Sequence, residues 1–530
     1  MQKSDPVVTR RGALAGGFSL AAALTLPLSV VAAAARERSV AGFRPQWSPT
    51  AEQLGEWLKK LHGFGPIRFT GTAQCRAFEE FLATEITRLG FSLERDQYRL
   101  MSWSCDLERD CHISLVEDGK PARELEVIAY YPFAATTRSS GPVSGRVLYA
   151  GVGDESVKQL ASKTPAAELA EAIVVVDMPL AGGGARTVPV LYPDRFPDGL
   201  GDPNRAPNPA TQGGRPSMEA VEGKCKALIL CYTDVSDDAA RYNWLPFSDK
   251  HRSTPALWVG RAGSEILKAA SGQASATLRC DSTLTPDARA DTLVATLPGK
   301  SDEVVFLTTQ TDGPNECNEN GGLGLLALAT YAAKRPAAER RRTLVVCMPT
   351  GHYAFGAVAD PVTGSGRRGG TAGAIEKRPE LVKRIVAQIA LEQMGAMEWV
   401  AADMDWKPTG LPAPDMWIPT DKTHEASTRL FMAATQGEDP RFSRAFVVKS
   451  GMAPGEGGAL RNLGLAGIGL MGTPQYFFRA DPKGVIDKLD PRIMKNQVDF
   501  ATKMMLLMDR LSVDQLNGSA PISDTDLQRP

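Results

Sequence analysis

From Asp291 onward the chain alternates apolar runs of strand length with helical patterns. That alternation narrows the folds open to it more than any other feature. "TLVATLPG" and "EVVFLTTQ" read as strands, "GGLGLLALATYAAKR" as a helix and "TLVVCMPT" as another strand. "PELVKRIVAQIALEQMG" reads as a helix running into a strand, "AGIGLMG" as a strand, and "PRIMKNQVDFATKMMLLMDRLS" as the closing helix. Strands alternating with helices imply a three-layer α/β domain around a largely parallel sheet. Ligands in such sheets sit outside the carboxyl ends of the strands. Chemistry is therefore expected in the loops after Gln310, Thr350, Leu391 and Leu470. The second of these loops, "MPTGHYAFG", presents His352, one of only five histidines in the chain.

Upstream the texture differs. Two amphipathic helical patterns flank the turn "GFGPIRFTGT", and strand-like segments follow in "FSLERDQYRLMSW", "HISLVED" and "ELEVIAYYP". From about Ser140 come short β-type runs, "GRVLYAG", "AIVVVDMPL", "KALILCYTD", "PALWVG" and "ATLRC", with one helix in "AGSEILKAAS". The proline-rich stretch from Tyr192 to Pro216 reads as a long surface loop. A chain of 530 residues is too long for one ordinary core, so at least two domains are expected. Sixty basic against sixty-one acidic residues argue against a nucleic-acid partner.

The first residues carry paired Arg10 and Arg11, an uncharged stretch from Gly12 to Ala35, and small residues before Arg36. That is the layout of a twin-arginine export signal with cleavage in Ala32–Ala35, the alternative being an uncleaved anchor. Either way the mature chain is expected outside the cytoplasm, periplasmic or secreted. All eight cysteines lie beyond this leader, in a compartment that permits disulfides. Cys105 and Cys111 are the best local pair. Cys225 and Cys231 lie roughly 20 Å apart if both sit on one strand, too far to bond each other. With no C-x-x-C, Cys317 and Cys347 read as buried structural thiols.

Several stretches in order carry a resemblance. "FGPIRFTGTAQCRAFEEFLATEITRLGF", "VVFLTTQTDGPNECNENGGLGLLALA", "RRTLVVCMPTGHYAFGA", "IALEQMGA" and "GEGGALRNLGLAGIGLMG" are similar to the opening helices and metal-site loops of the zinc aminopeptidase-like proteins. That family includes bacterial leucyl aminopeptidases, glutamate carboxypeptidase, glutaminyl cyclases and the transferrin receptor. "KALILCYTD…STPALWVGRAGSEILKAAS" resembles the protease-associated domain that several members carry as an insertion. The resemblance implies a three-layer zinc-exopeptidase-like α/β fold with a mostly parallel sheet plus an inserted β-rich protease-associated domain. The expected divisions are a signal peptide at 1–35, an N-terminal part at 36–135, the insertion at 136–288, the main domain at 289–515 and a tail at 516–530.

Carried over residue by residue, the family's two-zinc site falls on altered residues. The first metal-binding His falls on Gln310, while its orienting Asp stays as Asp312. The bridging Asp falls on Glu319, and the Glu-Glu pair, general base then ligand, falls on Gly351 and His352. The later Asp falls on Glu392, the distal His near Phe477, and a pocket acid on Glu456. Gln310, Glu319 and Glu392 would offer only oxygen, and a catalytic zinc usually keeps three protein ligands. If any ion binds, Glu319, His352 and Glu392 are its ligands. Otherwise no cofactor is expected, zinc or another divalent ion being left open.

Gly351 stands where the family's proton-taking carboxylate belongs. Asp312, Glu316, Glu319, Glu392, Glu456 and His352 would still converge on one pocket, where crowding pushes carboxyl proton affinities apart. The expectation is an exported hydrolase acting through these acids and His352 on a glycoside or an amide, with Gln310, Glu316 and Phe477 lining the substrate site. The partner would be a small molecule, saccharide or peptide. The alternatives are a silent binding protein of the same fold and a one-metal aminopeptidase. "THE" at His424, "GSGRRGGTAG" and Ser450 match no complete catalytic motif.

Overall fold

The structure is a computed structural model, and it describes residues 40–179, 213–245, 250–354, 358–359, 369–402, 405–421, 423, 425–448, 455–461 and 464–528. The leader, most of the proline-rich loop, His424, Ser450 and half of "GSGRRGGTAG" lie outside them.

The strands are β1 (Ser92–Ser104), β2 (Cys111–Glu117), β3 (Arg123–Leu125), β4 (Val127–Tyr130), β5 (Val143–Val152), β6 (Ala172–Met178), β7 (Ala227–Tyr232), β8 (Ala256–Val259) and β9 (Ala274–Cys280). They continue with β10 (Thr283–Leu297), β11 (Ser301–Thr308), β12 (Arg342–Met348), β13 (Val358–Ala359), β14 (Ile385–Glu392), β15 (Met397–Ala402), β16 (Asp405–Pro412), β17 (Asp415–Pro419), β18 (Ala445–Val447) and β19 (Ala466–Gly472). The longer helices are α1 (Ala51–Gly63), α2 (Ala73–Arg88), α3 (Asp154–Lys163), α4 (Arg261–Ala269), α5 (Gly321–Lys334), α6 (Glu425–Ala434) and α7 (Pro491–Arg510).

A nine-stranded sheet runs β13-β1-β10-β12-β11-β14-β19-β17-β18. Its centre, β12, β11, β14 and β19, is parallel, and β10 and β17 flank it antiparallel. Two faces are covered, as the unbroken apolar runs require. On β11, Val305 and Leu307 join the core under α1, α2, α5, α6 and α7, while Val304 and Phe306 face the opposite cluster with Ala374. The same alternation holds on β12, with Leu344, Val346 and Met348 on one side and Val345 and Cys347 on the other. This is the expected three-layer α/β arrangement.

A second, eight-stranded sheet runs β3-β2-β9-β5-β6-β7-β8-β4, with β5 to β8 parallel. Strands β2 to β4 precede residue 136 in the chain yet pair in this second sheet, so its boundary in space is not the boundary in sequence. Two more differences stand out. The helix expected at the start of "PELVKRIVAQIALEQMG" covers only Pro379–Val382, because Pro379 opens it and β14 already begins at Ile385. The hairpin β15–β16, β17 and β18 have no counterpart in the sequence expectations. Prolines interrupt β16 and end β17, and β15 and β18 are too short to show strand periodicity.

Candidate active site

The carboxyl ends of β11, β12 and β14 deliver the site. Beyond β11 come Gln310 and Asp312, then the loop "GPNECNEN" leading into α5. That loop is tied down by Asn315, whose side-chain nitrogen donates to the carbonyls of Tyr476, Phe477 and Arg479 at 3.0, 3.1 and 2.9 Å. Its side-chain oxygen accepts from the amides of Cys317 and Asn318. Glu392 is the last residue of β14.

Three residues form one hydrogen-bonded chain. His352 Nδ1 lies 2.5 Å from Glu456 Oε1, and the Glu456 amide donates to Glu392 Oε1 at 2.7 Å. The other Glu456 oxygen accepts from the Thr371 amide at 2.6 Å. Gly455 has φ +72°, and a Cβ there would overlap the Glu392 carboxylate, so only glycine lets the Glu456 amide come this close. Asp312 anchors the His352 loop, accepting from the amides of His352 (3.1 Å) and Tyr353 (3.0 Å) and from Thr70 Oγ1 (2.6 Å).

Charge sets the proton affinities of this chain. Burial pushes Glu392 up to about 7, with the nearby His352 opposing and Glu456 reinforcing. Burial alone would depress His352, but the hydrogen bond and charge of Glu456, with Glu392 and Asp312 behind it, push it up to about 9. Burial would raise Glu456, yet its bond to the His352 imidazole holds it below the usual value. Burial also raises Asp312, against the bonds from Thr70 and Tyr353. The His352 side chain is 12% exposed and Glu456 4%, so the imidazole is the member that reaches outward.

The remaining acids are engaged elsewhere. Glu319 is bonded to the Arg68 guanidinium, both side chains being wholly buried. Arg68 also donates to the carbonyls of Leu61 and Gly65, and its backbone pairs with Gly313. Burial pulls the guanidinium down to about 10, against the charge of Glu316. Glu316 itself is bonded to His62 Nδ1 and accepts from the Val485 amide at 2.8 Å. Gln310 donates to Asn318 Oδ1 at 2.5 Å. Phe477 enters through its carbonyl, which accepts from Asn315 and Asn318, while its ring packs on Phe478.

His352, Glu392 and Glu456 thus come together, with Asp312 supporting them, while Glu319 and Glu316 stand in separate ion pairs. Glu319, His352 and Glu392 do not gather their donor atoms within 4.8 Å of one another. Gly351 adopts φ +81°, a left-handed conformation that a side chain would strain. Arg68 and His62 were not singled out from sequence. The available signal was chemical: buried acids with too few metal ligands require cations.

No family model matches the chain, and no curated protein matches it in sequence. Solved structures do match. An aminopeptidase from Aneurinibacillus sp. strain AM-1 covers 87% of this chain and 95% of its own, with a TM-score of 0.55 and 14% identity. A zinc aminopeptidase from Bacillus subtilis covers 86% and 94%, with a TM-score of 0.56 and 13% identity. A peptidase precursor from Shewanella amazonensis covers 87% and 96%, with a TM-score of 0.57 and 15% identity. The chain has the zinc aminopeptidase fold. Within that zinc aminopeptidase fold, His352 and Glu392 stand at the carboxyl ends of parallel strands, where ligands of such sheets bind. Among the described residues, no helix is long and apolar enough to cross a membrane.

Proposed function

We propose that the protein is an exported hydrolase on the zinc aminopeptidase scaffold that has given up the two-zinc centre. It acts through Glu392, Glu456 and His352 on an amide or a glycoside. The observation that carries this reading is the bonded chain His352–Glu456–Glu392 at the strand ends.

The residues present do not fit two zinc ions. Arg68 already neutralises Glu319, Gln310 is bonded to Asn318, Gly351 offers no carboxylate and the Phe477 side chain no donor. Of the first position's three oxygen donors, Glu392 already accepts from the Glu456 amide and from Gln393, which leaves Gln310 Oε1 and Glu319 Oε2, two buried oxygens without hydrogen-bond partners and fewer than the three protein ligands of catalytic zinc. These same oxygens would accept from a substrate N–H or O–H.

Catalysis then divides between two groups of unlike proton affinity. Glu392, poised near neutrality, takes a proton from the attacking water. His352, cationic through Glu456, gives its proton to the leaving nitrogen or oxygen. Glu456 orients the imidazole, and Asp312 fixes the loop that carries it.

A second reading is a silent binding protein, favoured by the buried Arg68–Glu319 ion pair and the contact of His62 Nδ1 with Glu316. Chromogenic amides and glycosides, assayed in the presence of a chelator, separate the two. Turnover that persists with chelator and falls at least about a hundredfold in Glu392→Gln and His352→Gln supports the hydrolase. Folded protein that turns over none of them supports binding, and turnover that requires added zinc contradicts both.

A further inference from the structure

Two cysteines close in sequence, Cys105 and Cys111, meet the distant Cys280 at the second sheet. Cys111 opens β2 and Cys280 closes β9, and the antiparallel register sets them directly opposite. The chain between Cys105 and Cys111 folds back through a single short turn of helix, Leu107–Asp110. That brings Cys105 Sγ to 3.4 Å from Cys111 Sγ. All three sulfurs lie within 4.8 Å of one another, and among the described residues no imidazole or carboxylate joins them. Cys111 and Cys280 are buried, while Cys105 is half-buried and gives access from solvent.

We propose that Cys105, Cys111 and Cys280 bind one soft, thiophilic metal ion in three-coordinate thiolate geometry, Cu(I) being the ion that fits. An ion about 2.3 Å from each of three sulfurs places those sulfurs about 3.8–4.0 Å apart. The observed set brackets that spacing, with Cys105 and Cys111 at 3.4 Å and all three sulfurs within 4.8 Å of one another. Soft thiolates select Cu(I) and zinc, but structural zinc takes a fourth ligand, and among the described residues no imidazole, carboxylate or fourth thiol joins the three.

The cluster is apolar on its inner side and bordered by charged pairs at its rim, Arg138 with Asp110 and Arg279 with Asp281. Trp103, Leu107, Ile113 and Leu278 pack in the same apolar core as the cysteines. Arg138 and Arg279 bind the flanking carbonyls of Asp281 and Arg109 at 2.5 and 2.8 Å. Binding oxidises nothing: each thiol that becomes a ligand releases its proton to water. A disulfide between Cys105 and Cys111 would use two sulfurs and leave Cys280 beside it unused.

The test uses the whole chain, reduced and handled without oxygen, titrated with Cu(I) against a chromogenic Cu(I) chelator. One Cu(I) is expected per chain, with sulfur-to-copper absorption in the near ultraviolet. Cys105→Ser and Cys280→Ser should lose retention at least tenfold, while Cys225→Ser keeps it. Cys105 is only half-buried, so its variant tests the site even if Cys280→Ser fails to fold. Failure of folded, reduced protein to retain Cu(I) overturns the proposal, as does retention unchanged in Cys105→Ser. Preference for Zn(II) over Cu(I) overturns the assigned ion. A Cys105–Cys111 disulfide that forms with Cu(I) present also overturns the site.

Discussion

Arg68→Met keeps the unbranched stem of the side chain and removes its charge, leaving Glu319 alone in the interior. Both partners are wholly buried, so no solvent rescues the stranded carboxylate. Breaking one member of a buried pair costs about 3–5 kcal/mol. The carbonyls of Leu61 and Gly65 lose their donor as well, each worth about 1 kcal/mol or more. Partial relaxation trims the sum, and a loss of about 4–6 kcal/mol is expected. Arg68→Met combined with Glu319→Met removes the stranded charge and should recover at least about 2 kcal/mol. Urea unfolding followed by tryptophan fluorescence reads both differences as midpoint shifts. An Arg68→Met midpoint within about 1 kcal/mol of wild type, or a double variant no better than the single, would refute the view that the guanidinium does a metal's electrostatic work here.

Activity should follow a bell-shaped pH profile, with limbs near 7 for Glu392 and near 9 for His352, the two values belonging to the coupled pair. A profile flat across that range would remove both from the chemistry. Stability carries a matching signature. His352 is raised from 6.5 to about 9, so its contribution is full below pH 6.5 and lost as pH rises through 9. Wild type should lose up to about 3 kcal/mol relative to His352→Gln across that window. Glu392 is raised from 4.5 to about 7, so its contribution is full below pH 4.5 and lost as pH rises through 7. Glu392→Gln should accordingly be more stable than wild type at pH 8 and level with it near pH 4.5, in urea titrations at each pH. Asn315→Leu strands three carbonyls and two amides and should cost at least about 3 kcal/mol by the same assay. A cost under about 1 kcal/mol would show that the loop is held by something else.

The central strands were legible because their apolar runs are buried on both faces, and α5 because its run is long and carries no charge before Lys334. The loops that hold Asp312, His352 and Glu392 followed from the strand ends, while Glu456, which precedes β19, was reached only through the family resemblance. Pairing was less visible. Nothing local tells β2 to pair with β9 rather than with the first sheet, since a strand's pattern records which face is buried and not its neighbour. The cation of the site was hidden for a related reason. Arg68 stands 251 residues before Glu319, in a turn whose glycines and proline advertise only a change of direction. The fate of Glu319 therefore could not be read from the loop that carries it.

The central claim is that Arg68 and hydrogen-bonded neighbours, not zinc, hold the acids of this site. Anomalous diffraction at the zinc edge, from crystals of the protein grown with zinc present, tests it most directly. The account predicts no anomalous peak among Glu319, His352 and Glu392, with the Arg68 guanidinium seated against Glu319. A peak there at full occupancy, with Arg68 turned away and Glu319 and His352 coordinating, would contradict it.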